Sequence, residues 1–149
     1  MDLFLSTFET KIDRKGRVSI PARFRSILER KNEELILFTL PNLNYLHGCG
    51  ESYIKRLWDY NLELDQNSDE SIFIQDILSD STHFKVDAEG RVLLTNNLHK
   101  IANLSDNVLF AGRGETFQIW SPEDFYKSKT FRESKTIKNK PMQLVLRKK

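Results

Sequence analysis

The feature that most constrains the fold is a five-residue turn that occurs twice. Asp13-Arg14-Lys15-Gly16-Arg17 and Asp87-Ala88-Glu89-Gly90-Arg91 place Asp, Gly and Arg at the same spacing, 74 residues apart. Apolar positions around the turns repeat at that offset: Val18 with Val92, Ile20 with Leu94, Phe24 with Leu98, Ile27 with Ile101, and Leu35 with Leu109. A repeat of this length indicates two copies of one supersecondary unit. The 149 residues are therefore expected to form two related halves.

The first copy predicts a short series of elements. Residues 7–12 alternate as a strand, 13–16 form a tight turn, and 18–20 return as the second strand of a hairpin. Asp suits the start of the turn because its carboxylate accepts backbone N–H bonds, and Gly suits its end because it tolerates positive φ. Pro21 is expected at the first position of a helix that buries Phe24, Ile27 and Leu28. A second strand pair is expected at 35–38 and 43–46.

The remaining chain predicts two connecting helices and a second copy. Helices are expected at 53–64 and 71–78, with a polar break at 65–69. Strands follow at 83–86, 91–94, 108–111 and 117–120, with a helix at 95–101, and Ser121 is expected to cap a last helix. The predicted organisation is a first repeat with its following helix (7–64), a linker and helix (65–80), a second repeat (81–127) and a basic tail (128–149).

The formal net charge of +2 hides an uneven distribution of charge. Residues 127–149 sum to +8, so the other 126 residues sum to −6. Within that acidic body, residues 11–25 carry a local charge of +5, whereas residues 85–99 sum to zero. A polyanion is therefore expected to approach the first turn and the tail.

Composition also excludes some classes of protein. No apolar run approaches the roughly 20 residues that span a bilayer, and the start lacks the basic-then-apolar order of a signal peptide. The single cysteine, Cys49, cannot form an internal disulfide, which agrees with a reducing compartment. These features predict a cytoplasmic protein.

The order of strand, Asp-x-x-Gly-Arg turn, Val-Ser-Ile strand, proline and short amphipathic helix resembles the AbrB-type DNA-binding unit. Its signature here is Ile12-Asp13-Arg14-Lys15-Gly16-Arg17-Val18-Ser19-Ile20-Pro21, with Arg25 in the helix that follows. Two such units separated by helices resemble the MraZ family of bacterial transcription regulators, over nearly the whole chain except the basic tail. The resemblance implies a mixed α+β fold, in which two AbrB-like repeats form one pseudo-twofold β-barrel with flanking helices.

The same resemblance implies a function. It implies a sequence-specific regulator that binds repeated promoter sites of the cell-division and cell-wall gene cluster. It also implies a ring-like homo-oligomer, an octamer or a dodecamer, associated with the nucleoid. Whether the protein would repress or activate its target stays open.

The first turn supplies the main candidate residues for DNA contact. Arg17, at the exit of the turn, can fork onto phosphate oxygens or onto O6 and N7 of guanine. The candidates for phosphate contacts are Arg14, Lys15, Arg23 and Arg25. The residues expected to hold the two turns are Asp13, Gly16, Asp87 and Gly90. For Arg91, DNA contact and a structural or subunit contact both stay open, because the second turn has lost its positive surroundings.

Other functions find less support in the residues. A protein-interaction scaffold of the same fold that does not read DNA is the alternative, although the charge clustered at the first turn favours DNA. An enzyme is not expected, because no nucleophile lies beside a base and no Gly-rich loop would cradle phosphate. His47-Gly48-Cys49 lacks the ligand spacing of a zinc site. No metal, cofactor or small-molecule substrate is therefore expected. The tail is either a solvated extension or a nonspecific DNA-binding element, and no structure is predicted for it.

Overall fold

The computed structural model describes residues 1–138 and 144–146 of the chain. Within these residues the chain forms eight strands and five helices, in the order β1 (Thr7–Lys11), β2 (Arg17–Ser19), α1 (Ala22–Arg30), β3 (Leu35–Phe38), β4 (Leu46–Cys49), α2 (Glu51–Asn61), α3 (Asp69–Asp80), β5 (Thr82–Phe84), β6 (Arg91–Leu93), α4 (Asn96–Ile101), β7 (Asn107–Gly112), β8 (Phe117–Trp120) and α5 (Pro122–Lys138). The mixed α and β fold expected from the sequence is confirmed, and each half contributes four strands.

The strands form a six-stranded sheet in the order β1-β7-β8-β4-β3-β5 and a separate two-stranded ribbon of β2 and β6. All the pairings are antiparallel. The order of the sheet is unchanged when the two halves are exchanged. β1 of the first half pairs with β7 of the second, and β5 of the second half pairs with β3 of the first. The two halves are therefore interlocked, because each outer strand is bonded to a strand of the other half.

The sequence predicts that the two strands flanking each Asp-x-x-Gly-Arg turn pair with each other as a hairpin, and this pairing is wrong. β1 and β2 share a single bridge between Ile12 and Val18, and their main partners are β7 and β6. The alternation of apolar residues shows which segments are extended, but it cannot show which strand lies beside each one. The strand pairings form an open six-stranded sheet and a separate ribbon, so they do not confirm the closed barrel that the resemblance implies.

The fourth strand lies three residues later than predicted. β4 spans Leu46–Cys49, whereas the sequence predicts a strand at 43–46. The connection before β4 contains the seven residues 39–45, while the one before β8 contains only the four residues 113–116. The offset between the halves therefore changes from 74 to 71 at this point, and Leu46 corresponds to Phe117. The prediction failed because it carried one offset across two loops of unequal length.

The main core lies between the six-stranded sheet, the ribbon and α1. Phe24 of α1 is fully buried in an aromatic cluster with Phe4, Phe8, Phe110 and Phe117. Gly48 leaves room for this cluster, because a Cβ atom at that position would collide with the Phe117 ring. Val18 and Val92 close the core from the ribbon side, and both are fully buried. The ribbon therefore has one face in the core and one face outside it.

Helices cover the other face of the six-stranded sheet. Ile36, Phe38 and Cys49 pack with residues of α2 and α3, and Trp120 packs with Phe125 of α5. Neighbouring residues on β3, such as Leu35 and Leu37, belong to the main core instead. Since side chains alternate between the faces of a strand, these helices lie opposite the main core and the ribbon. The outer face of the ribbon is on the far side of the molecule from α2, α3 and α5.

Helix ends agree with the sequence in some places and differ in others. Phe24, Ile27 and Leu28 are buried as predicted. Pro21 occupies the N-cap position before α1 rather than the first position of the helix. α2 ends at Asn61, whose buried side chain accepts a hydrogen bond from Ser71 Oγ at 2.6 Å. The polar break therefore begins before residue 65 and ends at α3.

The last helix is longer than expected. Ser121 caps α5 as predicted, with its Oγ accepting from the backbone N–H of Asp124 at 3.1 Å. The helix continues to Lys138, through the first part of the segment for which the sequence predicts no structure. The rest of the predicted tail lies outside the described residues, apart from 144–146. None of the helices described is long and apolar enough to cross a membrane.

Candidate nucleic-acid interface

The first Asp-x-x-Gly-Arg turn is held by the aspartate at its start. Asp13 Oδ1 accepts hydrogen bonds from the backbone N–H groups of Lys15 and Arg17, at 3.0 and 2.9 Å. Asp13 Oδ2 accepts from Arg17 Nε at 2.7 Å. Gly16 closes the turn with φ +83°, a conformation in which glycine is favoured. One carboxylate thus fixes the backbone of the turn and the direction of the arginine that leaves it.

The second turn has the same geometry. Asp87 Oδ1 accepts from the backbone N–H groups of Glu89 and Arg91, both at 2.9 Å, and Oδ2 accepts from Arg91 Nε at 3.1 Å. Gly90 has φ +82°. In both turns the backbone N–H of the arginine is the leading cause that lowers the pKa of the aspartate, so each carboxylate stays ionised at neutral pH.

The two arginines differ in the contacts of their guanidinium nitrogens. The side chain of Arg17 is 27% exposed, and in the described part of the chain its contact with an acidic side chain joins Nε to Asp13. Arg91 is equally exposed, but its Nη2 also lies 3.4 Å from Glu89 Oε2. Within the described residues neither terminal nitrogen of Arg17 therefore has an acidic partner, whereas Arg91 shares one with a neighbouring carboxylate.

The ribbon places both arginines on one outward face. In the pairing of β2 with β6, Arg17 lies opposite Leu93 and Ser19 lies opposite Arg91. Opposite residues point to the same face of an antiparallel pair. Ser19 is exposed and Leu93 is 60% exposed, so this face is open. The two arginines occupy opposite corners of it, separated by two residues, about 7 Å, along the strand direction.

Arg25 lies beside the second turn and not beside the first. The backbone N–H of Ile20 donates to Gly90 O at 2.9 Å, which brings the end of β2 to the start of β6. Arg25 follows in α1, its Nε donates to Ile20 O at 3.1 Å, and its guanidinium carbon would lie 2.6 Å from a Cβ atom at position 90. The sequence places Arg25 with the first turn because the two are close along the chain. The antiparallel ribbon carries it to the other end.

A histidine occupies the equivalent place beside the first turn. His99 of α4 is half-buried, and its Nε2 lies 2.9 Å from Gly16 O. His99 and Arg25 are related by the offset of 74, so each helix supports the turn of the other half. The sequence relates the two positions through the repeat but does not reveal this contact, because each helix is close along the chain to the turn of its own half.

Charge is distributed unequally around the two turns. Arg14 and Lys15 are exposed at the first turn, and the second turn has Ala88 and Glu89 in their place. Arg23 is exposed on α1 and lines a groove with the N-terminal residues Met1, Leu3 and Leu5. The ribbon face is therefore most positive at the end that carries the first turn.

The other candidate chemistry of the sequence is enclosed in the fold. Cys49 is fully buried, and burial raises its pKa to about 12, so the thiol stays protonated. His47 stacks on Phe38 with ring centroids 5.0 Å apart. In the part of the chain that the structure describes, no three His, Cys, Asp or Glu side chains are grouped to hold a metal ion.

Comparison with known proteins identifies the family. The family profile described as "MraZ protein, putative antitoxin-like" matches residues 3–40 and 77–147, which include both turns. A transcriptional regulator MraZ from Pelagibacter ubique is 39% identical over 132 residues, 85% of this chain and 83% of that protein. The protein of the same name from Rickettsia bellii is 37% identical over 84% of this chain and 85% of its own length.

A third relative agrees with these two. The transcriptional regulator MraZ from Parvibaculum lavamentivorans is 38% identical over 82% of this chain and 78% of its own length. The aligned regions extend well beyond the turns and cover most of this chain and of each relative. These matches, which include both copies of the duplicated turn, show that the chain belongs to the MraZ family.

Proposed function

We propose that this chain is a DNA-binding transcription regulator that binds duplex DNA with the outer face of the β2–β6 ribbon. Its relatives carry the name transcriptional regulator. The observation that carries the proposal is the pair of arginines, Arg17 and Arg91, each held by an aspartate on one open face.

The dimensions of the ribbon suit the major groove. A two-stranded β-ribbon fits the major groove of B-form DNA, which is about 12 Å wide. The arginines are about 7 Å apart along the strands, and base pairs are stacked about 3.4 Å apart. Arg17 and Arg91 can therefore address bases about two steps apart, and Ser19 lies between them.

The aspartates hold the arginine side chains in a fixed orientation for binding to DNA. Arg17 uses Nε to bind Asp13, and in the described part of the chain its terminal nitrogens have no acidic partner. A guanidinium fixed in this way loses less side-chain entropy when it binds bidentately to guanine. Because Arg91 is partly engaged by Glu89, Arg17 is the stronger contact of the two.

Phosphate contacts surround the arginine pair. Arg14 and Lys15 extend from the first turn, Arg25 lies at the second, and Arg23 is exposed on α1, in the groove that it lines with the N-terminal residues. These groups neutralise backbone phosphates without reading bases, so they add salt-dependent affinity. Each end of the ribbon thus has its own basic flank, despite the acidic residues of the second turn.

The finer parts of the proposal follow from the family. By resemblance, we propose that the chain forms a pseudo-twofold barrel and assembles into a ring-like homo-oligomer. We also propose that it acts at the nucleoid in the cytoplasm, on repeated promoter sites of the cell-division and cell-wall gene cluster. Repeated copies of a weakly binding ribbon would gain affinity for repeated sites, because the second contact becomes effectively intramolecular.

Binding to a duplex from upstream of the protein's own gene tests the function. The unaltered chain, Arg17→Ala and Arg91→Ala are compared at two salt concentrations, with a shuffled duplex of the same composition as competitor. Arg56→Ala is the matched control, because Arg56 pairs with Glu115 on the helical side of the sheet. We expect preference for the upstream duplex, a large loss in Arg17→Ala, a smaller one in Arg91→Ala, and none in Arg56→Ala. Equal binding of both duplexes, or unchanged binding by Arg17→Ala, would overturn the proposal.

A further inference from the structure

The contact between His99 and Gly16 involves one of the two nitrogens of the imidazole ring. Because Gly16 O can only accept, His99 Nε2 must carry the hydrogen of their 2.9 Å hydrogen bond. In neutral histidine the other nitrogen, Nδ1, then has no hydrogen. Within residues 1–138 and 144–146, no hydrogen bond is found to Nδ1. Among the described residues the ring is thus anchored through Nε2 alone.

The ring lies in a groove that is suited to an anion. The groove has a volume of about 540 Å³ between the first turn and α4. Its charged members are Asp13, Arg14 and Lys15, all from the first turn. The β6 and α4 residues that line it are uncharged. Asp13 is already occupied by Arg17, so the charges left free in the groove are the two cations.

The second turn carries a permanent cation at the equivalent place. Arg25 lies against Gly90 as His99 lies against Gly16, and an arginine is always protonated in a protein. The two ends of the ribbon therefore have equivalent side chains against the glycine of each turn, one with a permanent positive charge and one with a titratable imidazole.

We infer that His99 is a further DNA-binding residue of the first turn, which contacts a backbone phosphate as the doubly protonated imidazolium. The inference rests on the proposed function. A phosphate in the groove favours the doubly protonated ring, since an opposite charge favours the charged form, so binding of DNA takes up a proton. Affinity for DNA therefore increases as the pH falls through the titration range of histidine.

The test measures affinity for the upstream duplex at pH 8 and pH 6, at one salt concentration. The variants are His99→Gln, which can still donate to Gly16 O but cannot titrate, and His99→Arg, which copies the second turn. His83→Gln is the control, because His83 is exposed and lies 3.4 Å from Glu51 Oε2, outside the groove. Thermal unfolding of each variant shows that it is folded, and calorimetry in two buffers of different ionisation enthalpy counts the protons taken up.

The unaltered chain and His83→Gln should bind at least about threefold more tightly at pH 6 than at pH 8, with proton uptake, because one linked proton changes affinity by up to about tenfold per pH unit. His99→Gln and His99→Arg should lose this dependence, and His99→Arg should bind more tightly than the unaltered chain at pH 8. The same pH dependence in His99→Gln would overturn the inference while DNA binding stands. No binding of DNA by the unaltered chain at either pH would overturn the proposed function and the inference together.

Discussion

Arg25 of the first half lies over Gly90 of the second, and a Cβ atom at position 90 would come within 2.6 Å of its guanidinium carbon. His99 and Gly16 repeat this relationship in the opposite direction, at 3.1 Å from Nε2. Each Asp-x-x-Gly-Arg turn is thus supported by a helix of the other half. The proposed interface is a property of the two halves together.

The interlocked sheet predicts that neither half folds alone. A fragment of residues 1–66 lacks β7, the main partner of β1, and a fragment of residues 67–149 lacks β3, the main partner of β5. We expect each fragment to be unfolded by circular dichroism and an equimolar mixture to regain the spectrum of the intact chain. Cooperative thermal unfolding of either fragment by itself would contradict the interlocked arrangement.

The contact between Arg25 and Gly90 predicts a difference between glycines of similar conformation. Gly90 has φ +82° under Arg25, and Gly114 has φ +86° with nothing within 4 Å of an added Cβ atom. We expect Gly114→Ala to cost about 1 kcal/mol of unfolding free energy, and Gly90→Ala about 2 kcal/mol, because the Arg25 guanidinium must also move away and give up its hydrogen bond to Ile20 O. Urea unfolding measures both values. In an Arg25→Ala background the difference should nearly disappear, and an undiminished difference would show that the clash lies elsewhere.

We expect replacement of Asp13 to change the affinity for DNA in the direction opposite to that expected from the change in net charge. Asp13→Ala removes a negative charge from a polyanion-binding face, which by itself would tighten binding. It also removes the acceptor that holds Arg17 Nε and two backbone N–H groups. We expect the loss of orientation to prevail, with affinity for the upstream duplex lower by about tenfold, or 1.4 kcal/mol. Tighter binding by Asp13→Ala would show that orientation of Arg17 contributes little.

The environment of His47 predicts a decrease of stability in mild acid. Burial lowers the pKa of His47 from its ordinary value of 6.5, and in the described part of the chain its Nε2 has no hydrogen-bond partner. Below about pH 6.5 the unfolded chain binds a proton that the folded chain does not, so the unfolding free energy decreases, by at most about 1.4 kcal/mol per pH unit. In His47→Gln the decrease between pH 7.5 and pH 5.5 should be smaller. Urea unfolding at the two pH values gives the comparison, and equal decreases in both proteins would contradict it.

Local features of this fold could be predicted from the sequence. The turn residues, the buried face of α1 and the cap at Ser121 depend on residues a few positions apart, so spacing and residue type are sufficient to find them. The same holds for the comparison of the two halves as far as β3. Mixed α and β structure follows from those elements alone.

Features that depend on the other half could not be predicted in this way. The partners of β1 and β2, and the position of Arg25 beside Gly90, depend on how two distant segments cross. The start of β4 at Leu46 depends on a loop that is longer in one half than in the other. His99 was missed for the same reason as Arg25 was misplaced, since its contact with Gly16 spans 83 residues.

The most direct test of the ribbon as the DNA-binding face is a carboxylate placed at its centre. Ser19 is exposed on that face, opposite Arg91 and two residues from Arg17. Ser79→Glu is the matched control, because Ser79 is exposed on α3, on the helical side of the sheet. The measurement is the affinity of each variant for the upstream duplex, after circular dichroism has shown that both are folded. We predict that Ser19→Glu loses at least about 100-fold in affinity, or 2.7 kcal/mol, while Ser79→Glu binds like the unaltered chain. Unchanged binding by folded Ser19→Glu would contradict the assignment of DNA to this face.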